Sequence, residues 1–235
     1  GGAEFLAREP AALAELAPEV AIELPDLFVP EVALAPEAVF QQDHPFEGKL
    51  FSGLEVEPLM TPDNYTERVR ELIEEAETSV YLQYSYIRAP KVLDGFRQII
   101  DAVTQKIKKN LDVRIIVGPN QTPEDTQALQ ALGWKLGKHL KAQRTKLHNK
   151  GVLVDSKMAL VGSQNWSKDG TQYNRDATLV LHGAAVATYF ERIFLFDWDN
   201  FTRKPSIPEM QPLIADDGAP PPGMRRVAWT KWYED

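Results

Sequence analysis

The spacing of hydrophobic positions predicts strands that alternate with helices from about residue 61 onward. Residues 79–87, with the sequence SVYLQYSYI, are rich in β-branched and aromatic side chains and predict a strand. Apolar side chains in 92–109 recur at helical spacing, so this segment predicts a helix. The run 112–118 predicts a second strand, which ends at Gly118-Pro119.

The same alternation continues through the second half of the chain. The pattern predicts a helix over 124–140, a strand pair over 146–155 and 158–161, a strand over 176–181 and a helix over 184–196. Strands that alternate with helices are typical of a layered α/β fold. We therefore expect one α/β domain over residues 51–204.

The two ends of the chain have a different composition. Residues 1–50 are acidic and rich in proline, which interrupts helices and blocks pairing inside a sheet. We expect this segment to be an extension or linker, and 205–235 to be an irregular C-terminal extension. No secretion signal follows Gly1-Gly2, so any targeting segment is expected to be missing from this sequence, which leaves the compartment open.

Composition excludes cysteine chemistry and a transmembrane segment. The chain has no cysteine, which rules out disulfides and thiolate catalysis. None of its apolar runs is long enough for a transmembrane segment.

Charge is distributed unevenly along the chain. The formal net charge is −8, but residues 1–77 hold 18 Asp/Glu and 4 Lys/Arg, whereas residues 78–235 hold 16 Asp/Glu and 22 Lys/Arg. No acidic residue occurs in 126–154, which contains Lys135, Lys138, Lys141, Arg144, Lys146 and Lys150. This basic stretch predicts either a solvated face or a mouth that attracts anions.

One short pattern carries chemistry: His148-x-Lys150, then Asp155, then Gly162-Ser163-x-Asn165. Alternation along a strand places the first two side chains on one face. Ser163 and Asn165 follow the return strand and are expected to reach the same place. Gly162 is expected to let the backbone come close to a ligand.

These residue types suit chemistry at phosphorus. An imidazole can attack phosphorus or protonate a leaving oxygen, because it changes protonation state near neutral pH. An ammonium, a hydroxyl and a carboxamide can hold the phosphate oxygens. No residues at zinc-ligand spacing surround the pattern, so no metal is expected. The alternative is a structural strand whose His148 and Lys150 only face solvent.

The pattern resembles the HKD motif of the phospholipase D superfamily, directly over 146–182 and more loosely over 51–201. The resemblance implies an α/β/α sandwich with a mixed β-sheet flanked by helices. It also implies a metal-independent phosphodiesterase that needs no cofactor and works through a phosphohistidine. His148 would be the nucleophile or the general acid, Lys150, Ser163 and Asn165 would hold the phosphate, and Asp176 would orient an imidazole. Asp155 and Gly162 are expected to be structural.

Members of this superfamily use two such motifs at one site, and this chain contains one. The resemblance implies a partner that supplies the second half, either another copy in a homodimer or an upstream domain. The expected substrate is a phospholipid head-group ester. A nucleic-acid phosphodiester is the alternative, and a non-catalytic half that completes a partner's fold is a third possibility.

Overall fold

The computed structural model describes residues 26–30, 46–205, 213–221 and 224–228. It divides the chain into two units, one formed by 1–39 with 208–235 and the other by 40–207. Most of the predicted extension 1–50 lies outside the described residues.

Strands and helices alternate through the larger unit, as the pattern predicts. The strands of the two units together are β1 (Leu27–Pro30), β2 (Glu55–Met60), β3 (Ser79–Tyr84), β4 (Asp112–Val117), β5 (Leu140–Gln143), β6 (Gly151–Val154), β7 (Met158–Gly162), β8 (Ala177–His182), β9 (Thr202–Arg203), β10 (Leu213–Ile214) and β11 (Met224–Val227). The helices are α1 (Tyr65–Glu75), α2 (Gly95–Lys108), α3 (Pro123–Ala131), α4 (Lys168–Gln172) and α5 (Ala184–Asn200).

The larger unit is built on an 8-stranded sheet with the order β2-β8-β7-β6-β3-β4-β5-β9. The pairs β3/β4 and β4/β5 are parallel, whereas the other neighbours are antiparallel, so the sheet is mixed. The order β7-β6-β3-β4 places the β6–β7 hairpin in the middle of the sheet, between the parallel strands and β8.

Helices cover both faces of this sheet. On one face, a large core cluster joins α1 and α2 to the sheet through residues such as Leu72, Ile100, Leu82 and Val152. On the other face, α5 packs Phe194 and Trp198 against a smaller cluster of sheet residues that includes Leu153. The predicted α/β/α sandwich with a mixed sheet is confirmed.

One predicted helix is too long. The helix expected over 124–140 ends at Ala131, and the chain then turns into β5. Gly133 has a φ of 103°, in the left-handed region that ends helices. Trp134 is fully buried, and its indole N–H donates to Thr104 Oγ1 at 2.9 Å. The helix therefore ends early because the Trp134 ring is buried against α2, although the apolar spacing predicts that the helix continues.

The smaller unit is a 3-stranded sheet with the order β10-β1-β11. Its central strand comes from the N-terminal region that was expected to avoid pairing, and the outer strands come from the C-terminal region that was expected to be irregular. Pro30 occupies the last position of β1, opposite Met224, where a missing N–H is tolerated. Leu27, Phe28 and Val227 are buried in this unit.

Candidate active site

The residues of the motif gather at one edge of the large sheet. The carboxyl ends of β2 and β7 meet the amino end of β8 there, in the pairs Met60–Ala177 and Gly162–Thr178. The carboxyl end of β3 meets the amino end of β6 in the pair Gln83–Gly151. Loops that leave several strands therefore converge on one place, which is where ligands bind in open α/β sheets.

The segment that carries His148 crosses this edge before it enters the sheet. Ser85 Oγ donates to Leu147 O at 2.9 Å, which fixes the segment above the end of β3. The predicted strand from residue 146 is wrong, because β6 begins only at Gly151. The predicted alternation still appears, since Leu147 and Leu153 contribute to the cluster under α5 and Val152 to the opposite one.

Lys150 is buried, whereas His148 is exposed. Lys150 is only 7% exposed, and its Nζ donates to His148 O at 2.7 Å. Burial lowers the pKa of the Lys150 ammonium, and the negative charge of Asp176 opposes that shift. The His148 imidazole is exposed and makes no hydrogen bond to the residues that the structure describes. The ring is therefore open to an incoming group.

Ser163 and Asp176 form a pair beside this lysine. Ser163 Oγ donates to Asp176 Oδ1 at 2.7 Å, and the backbone N–H of Thr61 donates to Asp176 O at 3.0 Å. Asp176 thus has a fixed position, and its hydrogen bond goes to Ser163 rather than to His148. The expected orienting bond to the imidazole does not form within the described part of the chain.

Asn165 has unused hydrogen-bonding capacity. Its Oδ1 is buried and has no partner among the described residues. The next residue, Trp166, is fully buried; its indole N–H donates to the Tyr65 hydroxyl at 3.1 Å and its ring lies 4.8 Å from that of Tyr84. Buried aromatic rings therefore lie next to a carboxamide whose oxygen has no partner among the described residues, which is a feature of ligand sites.

Asp155 lies at the opposite end of the same hairpin. Its carboxylate accepts from the backbone N–H groups of Glu77, Thr78 and Ser79 at 2.8–2.9 Å, and from the Thr78 hydroxyl at 2.8 Å. Partial burial acts to raise the pKa of this carboxyl, but the hydrogen bonds hold it below its ordinary value. Asp155 thus ties the β6–β7 turn to the start of β3 and is remote from the imidazole.

Gly162 packs closely against the neighbouring strand. A Cβ at this position would lie 2.7 Å from Ala177 O and would overlap the Thr178 hydroxyl. The absence of a side chain at Gly162 therefore allows β7 to approach the start of β8 closely, and an approach to a ligand stays a prediction.

The basic stretch does not form one mouth. Lys135 and Lys138 precede β5, toward the amino ends of the parallel strands, whereas Lys146 and Lys150 follow it at the site edge. Lys141, between them, donates to Trp198 O at 3.1 Å. Strand β5 separates the two groups of cations, so the predicted anion-attracting mouth reduces to the short segment 144–150.

Sequence reasoning missed Thr61 at this site. Its hydroxyl accepts from the Asp176 N–H at 3.3 Å and from Gln164 Nε2 at 3.4 Å, and so joins the end of β2 to the loop that carries Asn165. Thr61 precedes a proline and lies far from the motif in sequence, so nothing local indicates this role.

The described residues contain neither a metal-binding cluster nor a membrane-spanning helix. Within 26–30, 46–205, 213–221 and 224–228, no group of 3 or more His, Asp or Glu side chains is placed to hold a metal ion. No helix of these ranges is long and apolar enough to cross a bilayer.

Comparison with known proteins identifies the family. The family model described as "Cardiolipin synthase, PLD-like domain" matches residues 69–198, more than half of the chain. The chain therefore belongs to the phospholipase D-like family. None of the curated proteins compared matches it significantly.

A solved structure shows the same fold, and two others are similar. Nuc from Salmonella typhimurium, a phospholipase D family member, is 20% identical, with a TM-score of 0.52 over 65% of this chain and 98% of that one. NucT from Helicobacter pylori is 14% identical, with a TM-score of 0.47 over 63% and 98%. Phosphatidylserine synthase from Haemophilus influenzae Rd KW20 is 15% identical, with a TM-score of 0.49 over 67% and 41%.

Proposed function

We propose that this chain contributes one half of a phosphodiesterase site, in which His148 attacks phosphorus and a phosphohistidine forms. The favoured substrate is a phospholipid head-group ester. One arrangement carries the proposal: an exposed His148 whose backbone carbonyl accepts from the buried Lys150 ammonium, at the sheet edge that also holds Ser163 and the unpaired side-chain oxygen of Asn165.

The surroundings of Lys150 support its role as the phosphate-binding cation. Its ammonium is buried and has a backbone carbonyl as its hydrogen-bond acceptor, and Asp176 supplies a nearby negative charge. A buried cation interacts more strongly with a phosphate than an exposed one, because less water screens the charge. Asp176 also holds Ser163 by accepting from its hydroxyl, so one carboxylate acts on both proposed phosphate-binding residues.

The reaction has two steps. In the first, a nitrogen of His148 forms a bond to phosphorus while the bond from phosphorus to the leaving oxygen breaks. That oxygen takes a proton from a general acid. In the second step, water or an alcohol attacks phosphorus, and the bond from phosphorus to His148 breaks. The attacking molecule gives its proton to the group that acted as the general acid in the first step.

A second motif must supply the general acid. One imidazole cannot attack phosphorus and protonate the leaving group in the same step, and this chain carries one such motif. The other half comes from a second copy around a two-fold axis or from an upstream domain. Asp176, which is bonded to Ser163 and leaves His148 without a carboxylate, fits a site that is completed from outside the chain.

Two observations favour the lipid substrate. The matching family model takes its name from cardiolipin synthase, whose name specifies a phospholipid product. The basic stretch, which could have followed a nucleic-acid backbone, is divided by β5, and Lys141 lies over the Trp198 ring at 4.3 Å from its centroid. Of the basic stretch, only the short segment 144–150 therefore offers cations to a long polyanion at the site.

The test uses bis(p-nitrophenyl) phosphate with EDTA present. Nitrophenolate leaves without being protonated, so even an isolated half-site should release one equivalent as the phosphohistidine forms. We expect this burst, with a matching increase in protein mass, from the wild type and not from His148→Asn, which should fold normally. A burst that persists in His148→Asn, or a requirement for a divalent ion, would overturn the proposal.

A further inference from the structure

We propose that Gln164, which lies between Ser163 and Asn165 in the chain, is a positioning residue that holds both of these side chains in place for the phosphate. This inference rests on the proposed function and extends it to a side chain that does not touch the substrate. Gln164 is only 1% exposed, so it is closed off from any ligand at the sheet edge.

Exposure alternates along the segment that follows β7. Ser163 is exposed, Gln164 is buried and Asn165 is half-buried. Successive side chains of an extended segment point to opposite sides, so the inward direction of Gln164 keeps its two neighbours on the outer side. The placement of both phosphate-holding side chains therefore depends on which of the three residues is held inside.

Both ends of the Gln164 carboxamide are held by buried threonines. Its Oε1 accepts from the hydroxyl of Thr178 in β8, and its Nε2 donates at 3.4 Å to the hydroxyl of Thr61, which follows β2. Thr61 and Thr178 are 0% and 5% exposed. Because β8 lies between β2 and β7 in the sheet, this one side chain joins the ends of three strands at the site edge.

The same network holds Ser163 by a second route. Thr61 Oγ1 donates to Asp176 O and accepts from the Asp176 N–H, both at 3.3 Å. The Asp176 carboxylate in turn accepts from Ser163 Oγ at 2.7 Å. Ser163 is therefore placed both by its peptide bond to Gln164 and by the hydrogen bonds that run from Gln164 through Thr61 and Asp176.

Asn165 is held from two sides through its backbone. Its carbonyl accepts from the Ser167 N–H at 3.0 Å, and a Cβ at Gly170 would overlap the same oxygen, so this backbone packs directly on α4. The Asn165 Oδ1 has no partner among the described residues. The direction of its carboxamide therefore depends on the backbone, which α4 fixes on one side and Gln164 on the other.

Packing alone does not account for a glutamine at this position. An apolar side chain of similar length, such as methionine, would fill the same space without the free-energy cost of burying a carboxamide. A buried carboxamide that is bonded at both ends selects one conformation of the chain around it, because other conformations leave polar atoms unpaired. Two neighbouring side chains that hold one phosphate together require such a fixed conformation.

The experiment compares the wild type with Gln164→Met and with Gln164→Met/Thr178→Val. Two quantities are measured on the folded full chain: the dissociation constant for inorganic phosphate, from the NMR shifts of the His148 ring, and the rate of the nitrophenolate burst. Gln164→Met should weaken phosphate binding by about tenfold, because hydrogen bonds to the anion are misaligned. It should slow the burst by about 10²-fold, which is the effect of a displacement of about 1 Å at a reacting group.

The double variant separates positioning from stability. It replaces both members of the Gln164–Thr178 hydrogen bond by apolar side chains of similar shape, which should restore most of the free energy of unfolding lost in Gln164→Met. Phosphate binding and the burst should stay impaired, because the network that fixes the segment is still absent. Recovery of both together with stability would show that Gln164 acts by packing and would overturn the inference. The double variant carries the test if Gln164→Met does not fold.

Thr104→Val is the matched control. The Thr104 hydroxyl is buried on α2 and accepts from the Trp134 indole N–H at 2.9 Å. It lies near the end of α2 that leads to the amino end of β4, at the edge of the sheet opposite the site. This variant also loses a buried hydrogen bond, so its stability should fall, but it should bind phosphate and release nitrophenolate like the wild type.

The two measurements also separate this inference from the proposed function. A wild type that binds phosphate without a burst would count against the phosphohistidine chemistry, and the effect of Gln164→Met on phosphate binding would then decide the positioning role. Unchanged phosphate binding in Gln164→Met, or a wild type that binds no phosphate, would overturn that role.

Discussion

The polar groups at the two ends of the β6–β7 hairpin differ in how far their hydrogen bonds are satisfied. At the turn end, the Asp155 carboxylate accepts four hydrogen bonds from residues 77–79. At the site end, the Asn165 Oδ1 is buried without a partner, and the His148 ring has no hydrogen bond within the described ranges. Lys150 is buried there with a backbone carbonyl as its acceptor.

This contrast separates stability from function within one hairpin. A buried polar group without partners costs free energy of folding, so the fold does not gain stability from the site end. The turn end gains it, because each donor from the backbone is paired with a charged acceptor. We therefore expect substitutions at one end to change activity and substitutions at the other to change the free energy of unfolding.

The largest effect is expected at Lys150. Replacing it by methionine removes the cation that holds the phosphate, so the rate of the nitrophenolate burst should fall by about 10²- to 10³-fold. Thermal stability should stay the same or rise, because a buried charge is replaced by an apolar side chain of similar length. Lys146→Met, at an exposed lysine of the same segment, is the control and should change the rate by less than about threefold. Equal rates in the two variants would contradict the comparison.

At the turn end, Asp155→Ala should lower the free energy of unfolding by about 3 kcal/mol, because several backbone donors lose a charged acceptor. The burst per folded molecule should not change. Chemical denaturation measures the first quantity and active-site titration the second. Lys157→Ala, at an exposed position of the same turn, should shift stability by less than about 0.5 kcal/mol. A loss of activity in folded Asp155→Ala would show that the two ends are not separate.

The elements with long periodic patterns could be predicted from the sequence. The helix that became α2 shows its buried face directly, since Phe96, Ile99, Ile100 and Val103 are all buried at the expected spacing. Edge strands could not be predicted in this way. β2 reads EVEPLM and pairs only with β8, so half of its side chains carry no apolar signal. Its pairing depends on a strand more than a hundred residues away in sequence.

The gathering of the motif residues at one edge of the sheet could also be predicted, but their hydrogen bonds could not. The motif indicated which side chains meet, because residue type and spacing along a hairpin are local properties. The bond between Asp176 and Ser163 depends on the register of β7 against β8, in which the Ser163 N–H donates to Ala177 O, and local pattern does not encode that register. The division of the basic stretch by β5 could not be predicted either. The pattern predicts one helix over 124–140, whereas the helix ends at Ala131 and β5 follows it.

Gly162 tests whether the site end depends on close packing of β7 against β8. Gly162→Ala should lower the free energy of unfolding by about 2 kcal/mol, because the added methyl group meets the neighbouring strand. Thr178→Ala removes one of the contacted atoms, so the double variant should be less destabilised than the sum of the single variants. Strict additivity in denaturation experiments would show that this contact is not the cause.

The smallest effect concerns pH and again belongs to the turn end. The pKa of Asp155 is held below its ordinary value of 3.8, so its ionised form stabilises the fold above that value, and the contribution is lost as pH falls through the lower pKa of the folded state. Asparagine does not titrate. The difference in free energy of unfolding between wild type and Asp155→Asn should therefore be constant above about pH 5 and should shrink below it. Lys157→Ala removes no carboxylate, so its difference from the wild type should not vary. A constant difference for Asp155→Asn down to acid unfolding would mean that shape, and not charge, is what the backbone of residues 77–79 requires.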